Sequence, residues 1–176
     1  MSPIIGLGGS CHWCTEGIFG SVIGVEKVRQ GWISAAAPHN SFSEAILFEF
    51  DPQRISLPNL IAIHLHSHSC TSAHCMRKKY RSAIYVFSAD QELSCLQALK
   101  NLQAEFDEKI ITEVLYFKDF RLNSEEYRDY YHNNPEKPFC QKFIEPKLNR
   151  LLEKYSSSFK RKRTAQLDSS SIYQRP

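Results

Sequence analysis

Apolar and polar residues follow one another along this chain in two rhythms, one suited to strands and one to helices. Ile4-Ile5-Gly6-Leu7 reads as a short strand, and the Gly8-Gly9-Ser10 turn leads into a helix near Trp13 to Val22. Val25 to Ile33 reads as a second strand. Glu44 to Phe50 is rich in β-formers and stops at Asp51-Pro52, a turn signal. Ser56 and Pro58 announce a helix running through Leu60, Ile61 and His64. Arg81 to Phe87 is a strand, and Ser88 caps a helix on which Leu93, Leu96, Leu99, Leu102 and Phe106 recur at helical spacing. Ile110 to Phe117 is the last strand, Ser124-Glu125-Glu126 opens a short helix, and Phe139 to Tyr155 makes a final one. The order β-α-β-β-α-β-α-β predicts an α+β fold, a two-layer sandwich of ferredoxin-like type. Residues 1–155 are expected to form one domain. Residues 156–176 are Ser-rich and basic, and are predicted to be disordered.

Composition narrows the class. With 176 residues, 42% hydrophobic and 23% charged, the chain reads as one soluble globular domain. No apolar run approaches the ~20 residues that span a bilayer. Met1 to Gly6 lacks the basic start of a signal peptide, so a cytoplasmic, membrane-free setting is expected. The formal charge of +3 is uneven: residues 156–176 hold five basic groups against one acidic, leaving 17 basic and 18 acidic groups in the body. Without basic–aromatic interleaving, a nucleic-acid partner is not expected. Six cysteines are too few for a disulfide scaffold, and in a reducing compartment a Cys-x-x-Cys pair is redox-active or metal-binding.

That pair lies in Gly8-Gly9-Ser10-Cys11-His12-Trp13-Cys14-Thr15-Glu16. Cys11 stands where a glycine-rich turn enters a helix, where free amides and the helix dipole favour a thiolate. Cys14 is one turn on, close enough to form a disulfide after local adjustment. Read from these residues alone, the pair is a redox couple, a buried cysteine pair or half of a zinc site.

The segment resembles the Gly-Cys-Phe-Trp signature of the methionine sulfoxide reductase A family, keeping Cys11, Trp13 and Glu16 but with Ser10 for Gly and His12 for Phe. Tyr80-Arg81-Ser82-Ala83-Ile84 is similar to that family's Gln-Tyr-Arg-Ser-Ala-Ile, with Lys79 for Gln. Ser43-Glu44-Ala45-Ile46 resembles its Ala-Glu-Ala-Val strand, and His68 and Thr71 fall on its His-Asp-Pro-Thr segment. Weaker matches run through Glu125, Tyr127 and Asn134 to Cys140 as far as Leu148, so the ordered set covers roughly residues 4–150. Three features depart from the pattern: Gly31-Trp32-Ile33-Ser34 stands for Gly-Tyr-x-Gly-Gly, a long loop is shortened before Glu44, and Cys75 replaces an aspartate.

The resemblance implies a peptide-methionine (S)-S-oxide reductase acting on oxidised proteins or free methionine sulfoxide. Cys11 would be the nucleophile and Glu44 the acid. Tyr80 would be a second donor to the oxygen, and Trp13 and His12 the walls of the methyl pocket. Cys14 would resolve the Cys11 sulfenic acid, with Cys140 as the other candidate, and thioredoxin would restore the thiols. No cofactor and no metal are implied, and a monomer is expected. Two other readings remain: a thiol–disulfide oxidoreductase using Cys11 and Cys14, and a non-catalytic metal-binding protein. The second would rest on His64, His66, His68 and Cys70, with His74 and Cys75 nearby, although a helix through His64–His66 scatters those side chains.

Overall fold

A computed structural model describes residues 2–160. It holds five strands, β1 Ile4–Gly8, β2 Val25–Ala35, β3 Ser43–Phe50, β4 Ala83–Val86 and β5 Glu113–Leu122. The helices are α1 His12–Gly20, α2 Leu57–Ser67, α3 Ala89–Leu102, α4 Tyr130–Asn133 and α5 Glu145–Tyr155. The order of strands and helices follows the apolar pattern, and the α+β class holds. Ser56 caps α2 by accepting from the Asn59 amide at 3.3 Å, and Ser88 caps α3 through the Gln91 amide at 3.2 Å.

The sheet differs from a ferredoxin-like two-layer sandwich. Its strands pair in the order β1-β3-β2-β5-β4, and β4 pairs back onto β1, so the five strands close into a barrel. The β4–β5 pair alone is parallel; the others are antiparallel. The reason lies in which residues face inward. One set of strand positions, Ile5, Leu7, Ile46, Phe48, Ile84 and Val86, packs with the helices. The alternate set, Ile33, Ala35, Ala45, Leu47, Ala83 and Tyr85, forms a separate cluster on the other face. Three of those six are alanines. Gly6 belongs to the same face, for a Cβ there would lie 2.7 Å from Ile33 Cδ1. Small residues inside let the sheet curl until its edges meet around Tyr85.

Two details depart from expectation. On α3 the leucine row is only partly the packed face. Leu99, Leu102 and, just beyond the helix, Phe106 pack against the core, but Leu93 is 65% and Leu96 48% exposed, and the buried contacts of the helix are Cys95 and Ala98. The body also runs past residue 155. Phe159 is buried and bridges Val22, and Lys160 N donates to Ser21 O at 2.8 Å. Residues 161–176, the rest of the predicted tail, lie outside the described residues. Among the described residues no helix is long and apolar enough to cross a membrane.

Candidate active site

Strand β1 delivers Cys11 to the N-terminus of α1, where it is the N-cap and its carbonyl accepts from Thr15 N at 3.1 Å. The turn before it is tightly packed. A Cβ on Gly9 would lie 2.5 Å from the His68 ring, so no other residue fits without displacing that histidine. Arg77 ties the turn down from the far side. Its guanidinium donates to the carbonyls of Gly9 and Tyr80, each at 2.9 Å, and to those of Ser69 and Ser72. One side chain thus joins the turn before Cys11 to the segment that carries Tyr80.

Cys11 is partly buried and Cys14 is buried. A hydrogen bond from the Cys14 thiol holds the Cys11 thiol down at about 7, against the opposing effects of burial and of the Glu44 charge. The Trp13 and Cys14 amides add to it, as expected at a helix start. Cys14, which gives that hydrogen bond, is pushed far above its ordinary value. The larger cause is therefore the second thiol, which the reading of the turn did not anticipate.

Glu44 opens β3 beside this turn and is 6% exposed. Its Oε2 accepts from the His12 amide at 3.1 Å and lies 3.5 Å from His12 Nδ1. Its Oε1 is 3.3 Å from Lys79 Nζ, and that ammonium also sits 5.1 Å from the centre of the Tyr80 ring. Interaction with Tyr80 and then Glu44 raises the Lys79 pKa. Lys79 thus links the expected acid to the expected second donor. Its place at the family's glutamine was the only sequence signal for this role. The segment is held against β3 by two hydrogen bonds, Glu44 N to Lys79 O at 2.9 Å and Arg81 N to the Ser43 side chain Oγ at 2.8 Å.

His12 is buried behind the nucleophile, edge-on to Trp32 at 5.3 Å and 3.3 Å from Gly31 O through Nδ1. Burial lowers its pKa, which favours the neutral ring. Trp13 lies on the other face of α1, stacked on Tyr130 at 4.3 Å and edge-on to Phe139 at 5.5 Å. Glu16 positions that stack. Its buried carboxylate accepts from Gln30 Nε2 at 2.6 Å and from the amides of Asp129 and Tyr130 at 2.8 and 3.4 Å. Gln30, Tyr130 and Phe139 were not singled out from the sequence: Tyr130 and Phe139 meet Trp13 from more than a hundred residues away, and Gln30, beside Glu16, ties in Asn123 and Tyr127 from about as far.

A cavity of about 780 Å³ opens onto Cys11 and Cys14. Tyr80, His68, Phe139 and Lys147 are among its other walls. Trp13, His12 and Glu44 are not among its lining residues; Trp13 reaches it through Phe139. Cys140 is fully buried in the turn of π-helix before α5, in the same core as Cys14. Cys70 is buried and Cys75 exposed.

The histidines disperse. His64 is 1% exposed with its ring 4.4 Å from that of His68, while His66 reaches Glu105 at 2.9 Å. His68 Nε2 pairs with Ser82 Oγ at 2.7 Å, and burial holds its pKa at about 4. Among the described residues no three of His, Cys, Asp or Glu are grouped so as to hold a metal ion.

A family model described as peptide methionine sulfoxide reductase matches residues 4–160. The peptide methionine sulfoxide reductase MsrA of Trichodesmium erythraeum is 30% identical over 167 residues, covering 86% of this chain and 94% of that one. Among solved structures, methionine sulfoxide reductase A of Corynebacterium diphtheriae superposes with a TM-score of 0.65 at 21% identity, covering 77% of this chain and 76% of that one. Mxr1 from Saccharomyces cerevisiae, solved in complex with Trx2, superposes with a TM-score of 0.54 at 18% identity, over 70% and 81% of the two chains.

Proposed function

The chain belongs to the peptide methionine sulfoxide reductase family, and from that premise we propose that Cys11, Glu44, Tyr80 and Cys14 carry (S)-epimer-specific reduction in it. The observation that carries this reading is the Cys11 thiol, held at about 7 by Cys14 while it faces the cavity. At neutral pH about half of such thiols are thiolate, the form that attacks. The thiolate bonds to the sulfoxide sulfur while the oxygen takes a proton. In its protonated form Glu44, fixed beside Cys11 through the His12 amide, is the proton donor, and Tyr80 donates a hydrogen bond to the same oxygen. Lys79 holds these two donors together. Oxygen then passes to Cys11 and the methionine thioether leaves, so that sulfenic acid forms as the substrate gains two electrons.

Cys14, already hydrogen-bonded to Cys11, condenses with the sulfenic acid, releasing water and forming the Cys11–Cys14 disulfide. Cys140, in the core behind Cys14, is less directly placed. An external dithiol exchanges with that disulfide, and the yeast relative bound to Trx2 supports thioredoxin in this role. Trp13 backs the methyl side through its edge-on contact with Phe139, while His12 acts from behind by placing the acid. We take the protein to work in the cytoplasm as a monomer on oxidised proteins or free methionine sulfoxide, without cofactor.

The test is reduction of the two methionine sulfoxide epimers by the purified protein with dithiothreitol. Turnover of the (S)-epimer alone, lost in Cys11→Ser, is expected. Disulfide reduction without sulfoxide turnover would favour the thiol–disulfide oxidoreductase instead.

A further inference from the structure

The cavity in front of Cys11 is charged on one wall only. Lys147, Arg150 and Lys154 leave α5 at i, i+3 and i+7, which places them on one helix face, and all three line the cavity. Among the described residues no aspartate or glutamate lines it. Lys154 is engaged by Glu105. Lys147 and Arg150 have no carboxylate within ion-pair distance among the described residues. The charge of Lys147 reaches inward: it partly offsets the rise that Cys11 and burial impose on the Cys14 thiol, and it adds to burial in lowering the His68 pKa. Outside residues 156–176 the chain carries 17 basic and 18 acidic groups, so this concentration of one sign is local.

Like charges on one helix face repel, and a negatively charged occupant relieves that repulsion while gaining attraction. At the lip, Met76 and Phe143 are each 47% exposed and give apolar contact to an extended chain. On the reductase reading, whatever enters this cavity brings its sulfoxide to Cys11. We propose that the α5 wall selects acidic peptides, methionine sulfoxide flanked by aspartate or glutamate. From Lys147 to Lys154 a helix rises about 10 Å, the length of about three extended residues. The selected carboxylates therefore lie within about three positions of the sulfoxide.

The experiment uses the full chain with dithiothreitol as reductant and two peptides that differ only in flanking residues, Glu in one and Lys in the other. At low ionic strength kcat/KM should favour the Glu peptide by about 5- to 30-fold, the yield of two or three exposed ion pairs. The ratio should fall toward one at about 1 M salt, where the Debye length is about 3 Å. In the Lys147→Glu/Arg150→Glu variant the preference should reverse; because it is a ratio within one protein, partial misfolding does not change it. A wild-type ratio near one at low salt, or the same ratio in both proteins, overturns the proposal.

Two further arms separate other sources of the same charge effect. A preference for free methionine sulfoxide over its N-acetyl amide, with no difference between the peptides, assigns the wall to one carboxylate and overturns it. A charge effect confined to thioredoxin-driven turnover assigns the wall to the reductant and also overturns it. Fluorescence anisotropy of the two peptides on the Cys11→Ser protein reads the wall apart from chemistry. Tighter binding of the Glu peptide there, with no sulfoxide turnover in the wild type, would keep the wall and discard the reductase reading. Equal binding would discard the wall.

Discussion

Cys11 has two flanks built on different terms. On one, Glu44 and His12 are each 6% exposed, Trp32 packs edge-on to the imidazole, and the acid is fixed by the His12 amide and Lys79. On the other, a cavity of about 780 Å³ is walled by α5 and by the segment that Arg77 gathers. The packed flank belongs to the barrel and the turn leaving it; the open flank belongs to elements added around them. Proton delivery needs a donor placed to within tenths of an ångström, which packing supplies. Recognition of varied protein segments needs room. Changes to the donors around Cys11 should therefore act on kcat, and changes to the α5 wall of the open flank on KM and its salt dependence.

The largest effect should come from Glu44→Gln, a fall in kcat of about 10²- to 10⁴-fold with KM little changed. Wild-type turnover in this variant would remove the acid from the packed flank. Cys14→Ala comes next. Without the thiol hydrogen bond that is the largest cause of its depression, the Cys11 pKa should climb from about 7 toward its ordinary 9. Because a lowered pKa means thiolate at lower pH, alkylation of Cys11 by iodoacetamide should need correspondingly higher pH, and at pH 7 should slow about fivefold for the first unit of rise and about 50-fold for two. An unmoved alkylation profile would assign the low value to the helix start alone. The same variant should release about one methionine per protein and then stall with thioredoxin, since no Cys11–Cys14 disulfide can form.

Arg77→Ala should lower kcat/KM by about tenfold, removing charge-assisted hydrogen bonds to Gly9 and Tyr80. Hydrogen exchange should quicken across residues 69–80 while the barrel strands stay protected, and quickening across β1 and β3 would show that the two flanks are one unit. The smallest change is Tyr80→Phe. Losing one hydrogen bond to the oxygen should lower kcat about 2- to 12-fold. A loss as large as that of Glu44→Gln would make Tyr80 the principal donor.

The two flanks were also unequally visible in the sequence. Cys11, Glu44 and their strands stand in short runs of apolar residues bounded by turns, so period and punctuation placed β1, α1 and β3 within a residue or two. Closure of the barrel was hidden, because it depends on which small residues share one face across strands far apart in the chain, such as Gly6, Ala45 and Ala83. The first two leucines of the α3 row misled in a similar way, although Leu99 and Leu102 pack as their spacing predicts. Their spacing is helical, but Cys95 and Ala98 let the helix come close and leave Leu93 and Leu96 outside. The Glu16–Gln30 network and the Trp13–Tyr130 stack join distant segments through hydrogen bonds and ring contact, for which a single sequence carries no period.

Closure of the sheet has one more consequence. An open strand edge is a template on which another extended chain can pair. Among the described residues each of the five strands has a neighbour on both sides, so no full-length edge is offered there as a template. Where β2 extends beyond its pairing with β5, over Val25–Arg29, it carries Glu26, Lys27 and Arg29 and an irregular register. Charged residues and a bulge discourage further pairing there. Contact with another chain is thus left to side chains rather than to strand pairing, and the sheet is no seed on which extended segments assemble.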